Sequence, residues 1–282
     1  VFQADGENKT TVSTANRQIT HYFDYSTLIK TEDDSGNTQS QSHSLNYRPN
    51  VQNDANGNIT GMQWSDNGKR LESITDAQDN QTSFSYDSQD RLIASTDAEG
   101  RVTEYTYGDT NVPRQPTVIK VKEGTTLLRQ QEFVYDSKGR TTSEKLIDPD
   151  DGITVLQETV RVYGTSGNGN GLLESIEIKD LLDSSNDSST VYNYDAQGRV
   201  IRTQKTSMFG TCEFNHTVYD AAGNVLGTAC GLVSATPIPS DKTDLLALYD
   251  ANDSDKKHTR ITTYDYDEMG RRVLTTSNAG TS

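Results

Sequence analysis

The side chains of this sequence whose types and spacing could act together are a tyrosine, an aspartate and an arginine held in one pattern, Tyr-Asp-x-x-Gly-Arg. It is complete at Tyr135-Asp136-Ser137-Lys138-Gly139-Arg140, Tyr194-Asp195-Ala196-Gln197-Gly198-Arg199 and Tyr266-Asp267-Glu268-Met269-Gly270-Arg271. Tyr86-Asp87-Ser88-Gln89-Asp90-Arg91 has Asp in the place of Gly, and Tyr219-Asp220-Ala221-Ala222-Gly223-Asn224 ends in Asn. One copy alone would have the make-up of an active-site signature. An active site is needed once, however. The tyrosines Tyr86, Tyr107, Tyr135, Tyr163, Tyr194 and Tyr219 follow one another at intervals of 21 to 31 residues, which is the behaviour of a structural repeat.

Other chemistry finds less support. His21, His43, His216 and His258 form no His-Glu-x-x-His pattern and none stands beside Cys at metal-ligand spacing, so solvated strand or loop histidines are expected. There is no Gly-x-Ser-x-Gly elbow. Gly167-Asn168-Gly169-Asn170-Gly171 lacks the Lys-Ser/Thr of a phosphate loop and reads as a flexible loop. With 41 Asp and Glu, no glycosidase pair of carboxylates can be singled out. Asp250-Ala251-Asn252-Asp253-Ser254-Asp255 begins like a calcium loop but lacks Gly at the sixth position and Glu at the twelfth, so a solvated loop is expected. The expectation is a non-enzymatic chain with no catalytic residue, metal or cofactor. Cys212 and Cys230 stand nine residues either side of Ala221. They would face each other if the hairpin around Asp220–Gly223 reaches that far, making a disulfide possible; a register slip would leave two separate thiols.

The elements that must carry the repeat follow from turn chemistry. Asp is favoured at the first position of a type I turn, where its carboxylate accepts from the turn's own amides. Gly tolerates the left-handed conformation that follows. Such a turn with a left-handed Gly is a hairpin connection with a bulge, so Asp195 to Gly198 is predicted to be a hairpin tip. Tyr192 and Tyr194 share one face of the incoming strand, and Val200, Ile201 and Thr203 give the outgoing strand β-branched residues. Weaker copies, Asp54-Ala55-Asn56-Gly57-Asn58, Ser65-Asp66-Asn67-Gly68-Lys69 and Asp97-Ala98-Glu99-Gly100-Arg101, keep only the acidic-to-Gly half. The chain therefore reads as consecutive antiparallel hairpins. The only helical hint is about a turn and a half at Asp244–Tyr249.

Composition agrees with thin, wet sheets. The hydrophobic fraction is 31%, with 14 Tyr and 6 Pro, and the net charge is −15. Such a chain is too polar for a thick core, yet too regularly patterned for disorder. The charge opposes nucleic acid and anionic lipid, and no apolar run is long enough for a membrane span. Starting at Val1 and closing on a polar stretch, the sequence reads as part of a longer protein, with one repeat region over residues 1–282 whose clearest copies lie within 54–275.

The recurring Tyr-Asp-x-x-Gly-Arg signature resembles the RHS (YD) repeats of bacterial polymorphic toxins, Tc toxin B and C components and animal teneurins, over roughly residues 20–275. The resemblance implies an all-β ribbon of antiparallel hairpins that spirals into a hollow shell or barrel. It implies an exported bacterial protein, secreted or at the cell surface, whose shell encloses a C-terminal toxin or effector domain as its partner. The self-cleaving core segment of related toxins is not found; Asp148-Pro149-Asp150-Asp151-Gly152 is only an echo of it, so no protease activity is carried over. The rival expectation is an adhesion module that binds carbohydrate or a protein receptor through exposed Tyr rings; a glycosidase is a weaker third. Why the arginine recurs is not evident from the sequence, and pairing with turn carboxylates of a neighbouring unit is the expectation for Arg199.

Overall fold

The computed structural model describes residues 7–14, 17–24, 27–43, 48–206, 212–232, 238–251 and 260–279. The chain divides into two compact units, Val1–Gln130 and Gln131–Ser282.

The first unit contains β1 (Glu7–Thr14), β2 (Arg17–Asp24), β3 (Thr27–Asp33), β4 (Thr38–His43), β5 (Pro49–Asn53), β6 (Ile59–Trp64), β7 (Leu71–Thr75), β8 (Gln81–Tyr86), β9 (Leu92–Thr96), β10 (Arg101–Thr106) and β11 (Val118–Glu123). Each pairs antiparallel with the next. β12 (Thr126–Tyr135) spans the division. The second unit continues with β13 (Thr141–Ile147), β14 (Val155–Tyr163), β15 (Leu173–Asp180), β16 (Ser188–Tyr194), β17 (Val200–Thr206), β18 (Cys212–Tyr219), β19 (Val225–Leu232), β20 (Arg260–Tyr266) and β21 (Arg272–Ala279). From β13 onward each again pairs antiparallel with its successor. The expected all-β succession of antiparallel hairpins is what the chain forms.

Most strand residues are half-buried rather than buried, as in β16, whose seven residues Ser188–Tyr194 are all partly covered except exposed Asn193. Sheets that are wet on both faces tolerate the low aliphatic content. A layered core is built at one place among the described residues, where α1 (Lys242–Ala251) packs on β18–β20. Phe214, Val218, Ala229, Leu245 and Ile261 are buried together there. Gly227 makes room for the helix: a Cβ on it would stand 2.6 Å from Leu245 Cδ2 and 3.1 Å from the Thr262 carbonyl oxygen.

The helix is ten residues long rather than a turn and a half, and its start is capped from both sides. Asp241 Oδ1 accepts from the Asp244 amide at 2.8 Å, while Asp244 Oδ2 accepts from the Ser240 hydroxyl at 2.6 Å and the Ser240 amide at 3.1 Å. Such reciprocal capping satisfies amides that a helix start leaves unpaired. Burial of Leu245 then adds roughly 2 kcal/mol, which holds a helix too short to be stable alone.

Candidate functional site

Among the described residues the hairpin tips are built alike many times, most of them assembled from an aspartate outward. At Asp195, Oδ1 accepts from the amides of Gln197 and Arg199, both at 2.9 Å. Two main-chain bonds close the turn, Gly198 N to the Asp195 carbonyl and Asp195 N to the Arg199 carbonyl, each 3.0 Å. Gly198 has φ +78°, and the register shifts at Asn193/Tyr194 in a bulge. The same set recurs at Asp136–Arg140 with Gly139, at Asp220–Asn224 with Gly223 and at Asp267–Arg271 with Gly270. Backbone donation by Arg140, then its guanidinium, holds Asp136 below the usual carboxylate range; Arg271 does the same for Asp267. At Asp220 the Asn224 amide group is the first cause. These carboxylates are held as anions by their own turns, which makes them poor acids or bases.

The arginine has two further partners. Arg199 Nε donates to Asp195 Oδ2 at 2.6 Å, within its own tip. Its other face lies over the ring of Tyr219, 4.5 Å from the centroid, and a terminal nitrogen donates to the Asp220 carbonyl at 3.2 Å. Tyr219 in turn donates its hydroxyl to the Val200 carbonyl at 3.2 Å, the residue just after the arginine. Two neighbouring tips are thereby locked by a reciprocal clasp. Arg199 therefore pairs with its own turn's carboxylate, and the neighbouring unit supplies a ring and a carbonyl rather than the acidic partner expected. The reason is reach: Nε faces back over the four-residue turn while the guanidinium plane is left for the next strand.

The clasp repeats within each unit. Arg140 lies 4.0 Å from the Tyr163 ring and donates to Gly171, with Tyr163 donating to the Thr141 carbonyl. Arg91 lies 4.5 Å from the Tyr107 ring and donates to Pro113, with Tyr107 donating to Leu92. Tyr86 donates to Leu71 under Arg70, and Trp64 donates its indole N–H to Pro49 under Arg48. Tyr194 and Tyr266 keep the hydroxyl-to-carbonyl half, toward Leu173 and Val225, where Leu172 and Asn224 replace the arginine. Arg70 is the exception that matches the neighbour-carboxylate expectation: its Nε donates to Asp90 of the next tip at 2.5 Å, because its own tip begins with Ser65. Burial raises the pKa of Tyr86, Tyr107 and Tyr194.

The weaker copies divide into two groups that sequence alone merges. Asp33–Asn37, Asp54–Asn58, Asp76–Asn80 and Asp97–Arg101 close the connections β3–β4, β5–β6, β7–β8 and β9–β10, on the opposite edge from the tips after Trp64 and Tyr86. Three of them use an Asn side chain as donor to the second carboxylate oxygen. The aromatic residue before the Asp is the signal that separates the clasped edge from the other.

The remaining candidates are placed as follows. β18–β19 pairing puts Phe214 opposite Leu232 and His216 opposite Ala229, so Cys212 and Cys230 are not register partners. The side chain of Cys212 lies outside the described residues, as do His258 and the loop from Asn252 through Asp255. His216 is 1% exposed, not solvated, and burial followed by the charge of Arg202 pushes its pKa down to about 4. Gly167–Gly169 forms a 3-10 turn, with Asn168 Nδ2 donating to the Tyr194 carbonyl at 3.2 Å. Among the described residues no cluster of three His, Cys, Asp or Glu could hold a metal, and no helix is long and apolar enough to cross a membrane.

Residues 64–102 and 86–112 match the family model of the RHS repeat. No curated protein matches the chain. Among solved structures, the Tc holotoxin pore of Photorhabdus luminescens matches at TM-score 0.50 and 14% identity over 92% of this chain. The TcdB2–TccC3 crystal structure matches at TM-score 0.49 and 15% identity over 93%. The chain spans 14% and 15% of the length of these two.

Proposed function

We propose that this chain, an RHS-repeat segment, is a length of non-enzymatic wall that encloses a toxin or effector domain of a longer exported protein. The observation that carries the proposal is the clasp. Arginine, aspartate and aromatic side chains with the make-up for chemistry are consumed in building the hairpin tips and joining one to the next. A wall must resist opening between strands while both faces stay wet, and edge clasps accomplish this without a thick core. The fold likeness to the Tc holotoxin pore supports the same reading. The enclosed C-terminal domain and an extracellular or surface destination belong to the proposal.

The test is limited proteolysis of the full-length parent beside its isolated C-terminal domain, with electron microscopy of the intact particle. A hollow particle in which that domain resists protease is expected. A solid or beaded particle, with the domain cleaved as fast as when isolated, overturns the proposal. The adhesion reading is weaker because the clasp tyrosines carry arginine on one face and spend their hydroxyls on carbonyls, leaving little ring for a sugar to stack on.

A further inference from the structure

Each complete clasp is a bound guanidinium, held by an aromatic ring, by the carboxylate of its own tip and by a carbonyl of the next connection. Extending the β17–β18 register, in which Arg202 faces His216, by three places sets Tyr219 opposite Arg199. The same count from Gly227, which faces Thr263, sets Tyr266 opposite Asn224. Everything but the arginine is kept there. Tyr266 donates its hydroxyl to the Val225 carbonyl at 2.9 Å, as Tyr219 does to Val200. Asparagine is too short to cover the ring, and its Nδ2 stays in its own turn, 2.8 Å from Asp220 Oδ2. Between the two tips lies a cavity of about 420 Å³ whose lining includes Asp220, Asn224, Leu226, Tyr264, Tyr266 and Glu268.

Among the described residues no cation fills this place. Arg271 is spent on Asp267 of its own turn, and Arg272 lies over the neighbouring Tyr264 ring at 5.3 Å. The carboxylates of Asp220 and Glu268 pair with no cationic side chain among the described residues. Tyr194 also lacks an arginine, but there the 3-10 turn closes on the ring: Asn168 Nδ2 donates to the Tyr194 carbonyl at 3.2 Å, and a Cβ on Gly169 would stand 3.5 Å from Tyr194 Cδ2. We propose that the cavity between the tips Asp220–Asn224 and Asp267–Arg271 binds an arginine side chain supplied from outside these hairpins. Its guanidinium covers the Tyr266 ring, shares Asp220 Oδ2 with the Asn224 amide and donates to the Asp267 carbonyl, repeating what Arg199 does one tip earlier. A guanidinium suits the place better than an ammonium, because it stacks flat on a ring while donating from its rim in two directions. The net charge of −15 draws cations to the whole chain, but ring, carboxylate and carbonyl together select this tip. The inference rests on the clasp and not on enclosure of a cargo.

The test titrates the 282-residue chain with N-acetyl-arginine amide and with its neutral isostere N-acetyl-citrulline amide, following amide shifts. Saturable shifts confined to residues 220–224 and 264–268 are expected, with citrulline at least about tenfold weaker. Asn224→Arg supplies the guanidinium from the chain itself, so it should abolish these shifts and raise Tm by a few degrees. Tyr266→Leu should weaken binding about fivefold or more, which keeps the test open should Asn224→Arg fail to fold. Absence of binding, equal binding of the two amides, shifts spread over the other acidic tips, or undiminished binding to Asn224→Arg overturns the site. Thermal unfolding of Arg199→Ala separates this from the clasp itself: a lowered Tm there without arginine binding to the natural chain defeats the cavity alone.

Discussion

Arg199 and Tyr219 hold each other across β17 and β18: the guanidinium lies 4.5 Å from the ring centroid, and the phenol hydroxyl reaches past it to the Val200 carbonyl at 3.2 Å. One pair thus combines a cation–π contact, a side-chain bond to backbone and, through Asp195, an ion pair. Each is worth roughly 0.5–1 kcal/mol at a partly exposed site, and sharing groups makes them interdependent. Arg199→Ala is expected to lower unfolding free energy by about 2 kcal/mol and Tyr219→Phe by about 1 kcal/mol. The pair Arg199→Ala with Tyr219→Ala should lose about 1 kcal/mol less than the sum of the single losses in urea unfolding. Strict additivity would mean that the two residues do not act as a clasp.

The satellite core makes a second expectation. Gly227 lies under Leu245 with the Thr262 carbonyl on the other side. The Thr262 carbonyl of β20 cannot move aside, so a branched side chain is driven against Leu245 and lifts α1 from the sheet. Gly227→Val is expected to expose residues 242–247 to hydrogen exchange at least about tenfold faster, an opening equilibrium shifted by 1.4 kcal/mol. Leu245→Ala should do the same through a cavity costing about 3 kcal/mol. Exchange in β16 and β17 should stay unchanged in both; a general rise would show that the helix supports the whole unit rather than a local layer.

What the sequence revealed and what it withheld divide along one physical line. The tip was legible because Asp capping and left-handed Gly are preferences of four or five consecutive residues, and Asp195 and Gly198 express them wherever they stand. The role of Arg199 was not, since the ring it covers lies twenty residues on and only strand register brings it there. For the same reason Asp97–Arg101 and Asp195–Arg199 look alike in sequence but lie at tips of different kinds, only the second preceded by an aromatic residue. His216 looked like any strand histidine; it is buried on the same face of β18 as Phe214 and Val218, which pack with Leu245 of a helix whose pattern showed only a turn and a half.

Burial of that histidine sets a pH dependence. Its pKa in the folded chain is pushed down to about 4, against about 6.5 for a free histidine. The unfolded chain therefore takes up the proton first as pH falls. The contribution of neutral His216 to stability is complete above about pH 6.5 and is lost progressively toward pH 4, by up to about 3 kcal/mol. The turn aspartates act in a different window. Their pKa values are lowered on folding, so their contribution persists at pH 4 and disappears only in stronger acid. Urea midpoints at pH 7, 5.5 and 4 should fall steadily for the natural chain and much less for His216→Gln. Parallel curves would assign the acid sensitivity to other groups.

The last expectation concerns two tips in which aspartate stands where the others have glycine. Asp79 and Asp90 have φ +63° and +61°, a region that side chains other than Asn and Asp rarely enter. Glycine relieves that strain, by up to about 1 kcal/mol after its own entropy cost is set against it. The two sites differ in what the aspartate does besides. Asp90 carries the ion pair to Arg70, which covers the Tyr86 ring, whereas the Asp79 carboxylate meets no such arginine among the described residues. Asp79→Gly is therefore expected to stabilise, raising Tm by a few degrees, and Asp90→Gly to be neutral or destabilising. If Asp90→Gly stabilised as much as Asp79→Gly, the contact between neighbouring tips at Arg70 would contribute nothing, and backbone strain alone would decide both positions. The expected ranking follows if Arg70 needs the Asp90 carboxylate to keep its guanidinium over the Tyr86 ring. In that case Arg70→Ala should remove the difference between the two glycine substitutions.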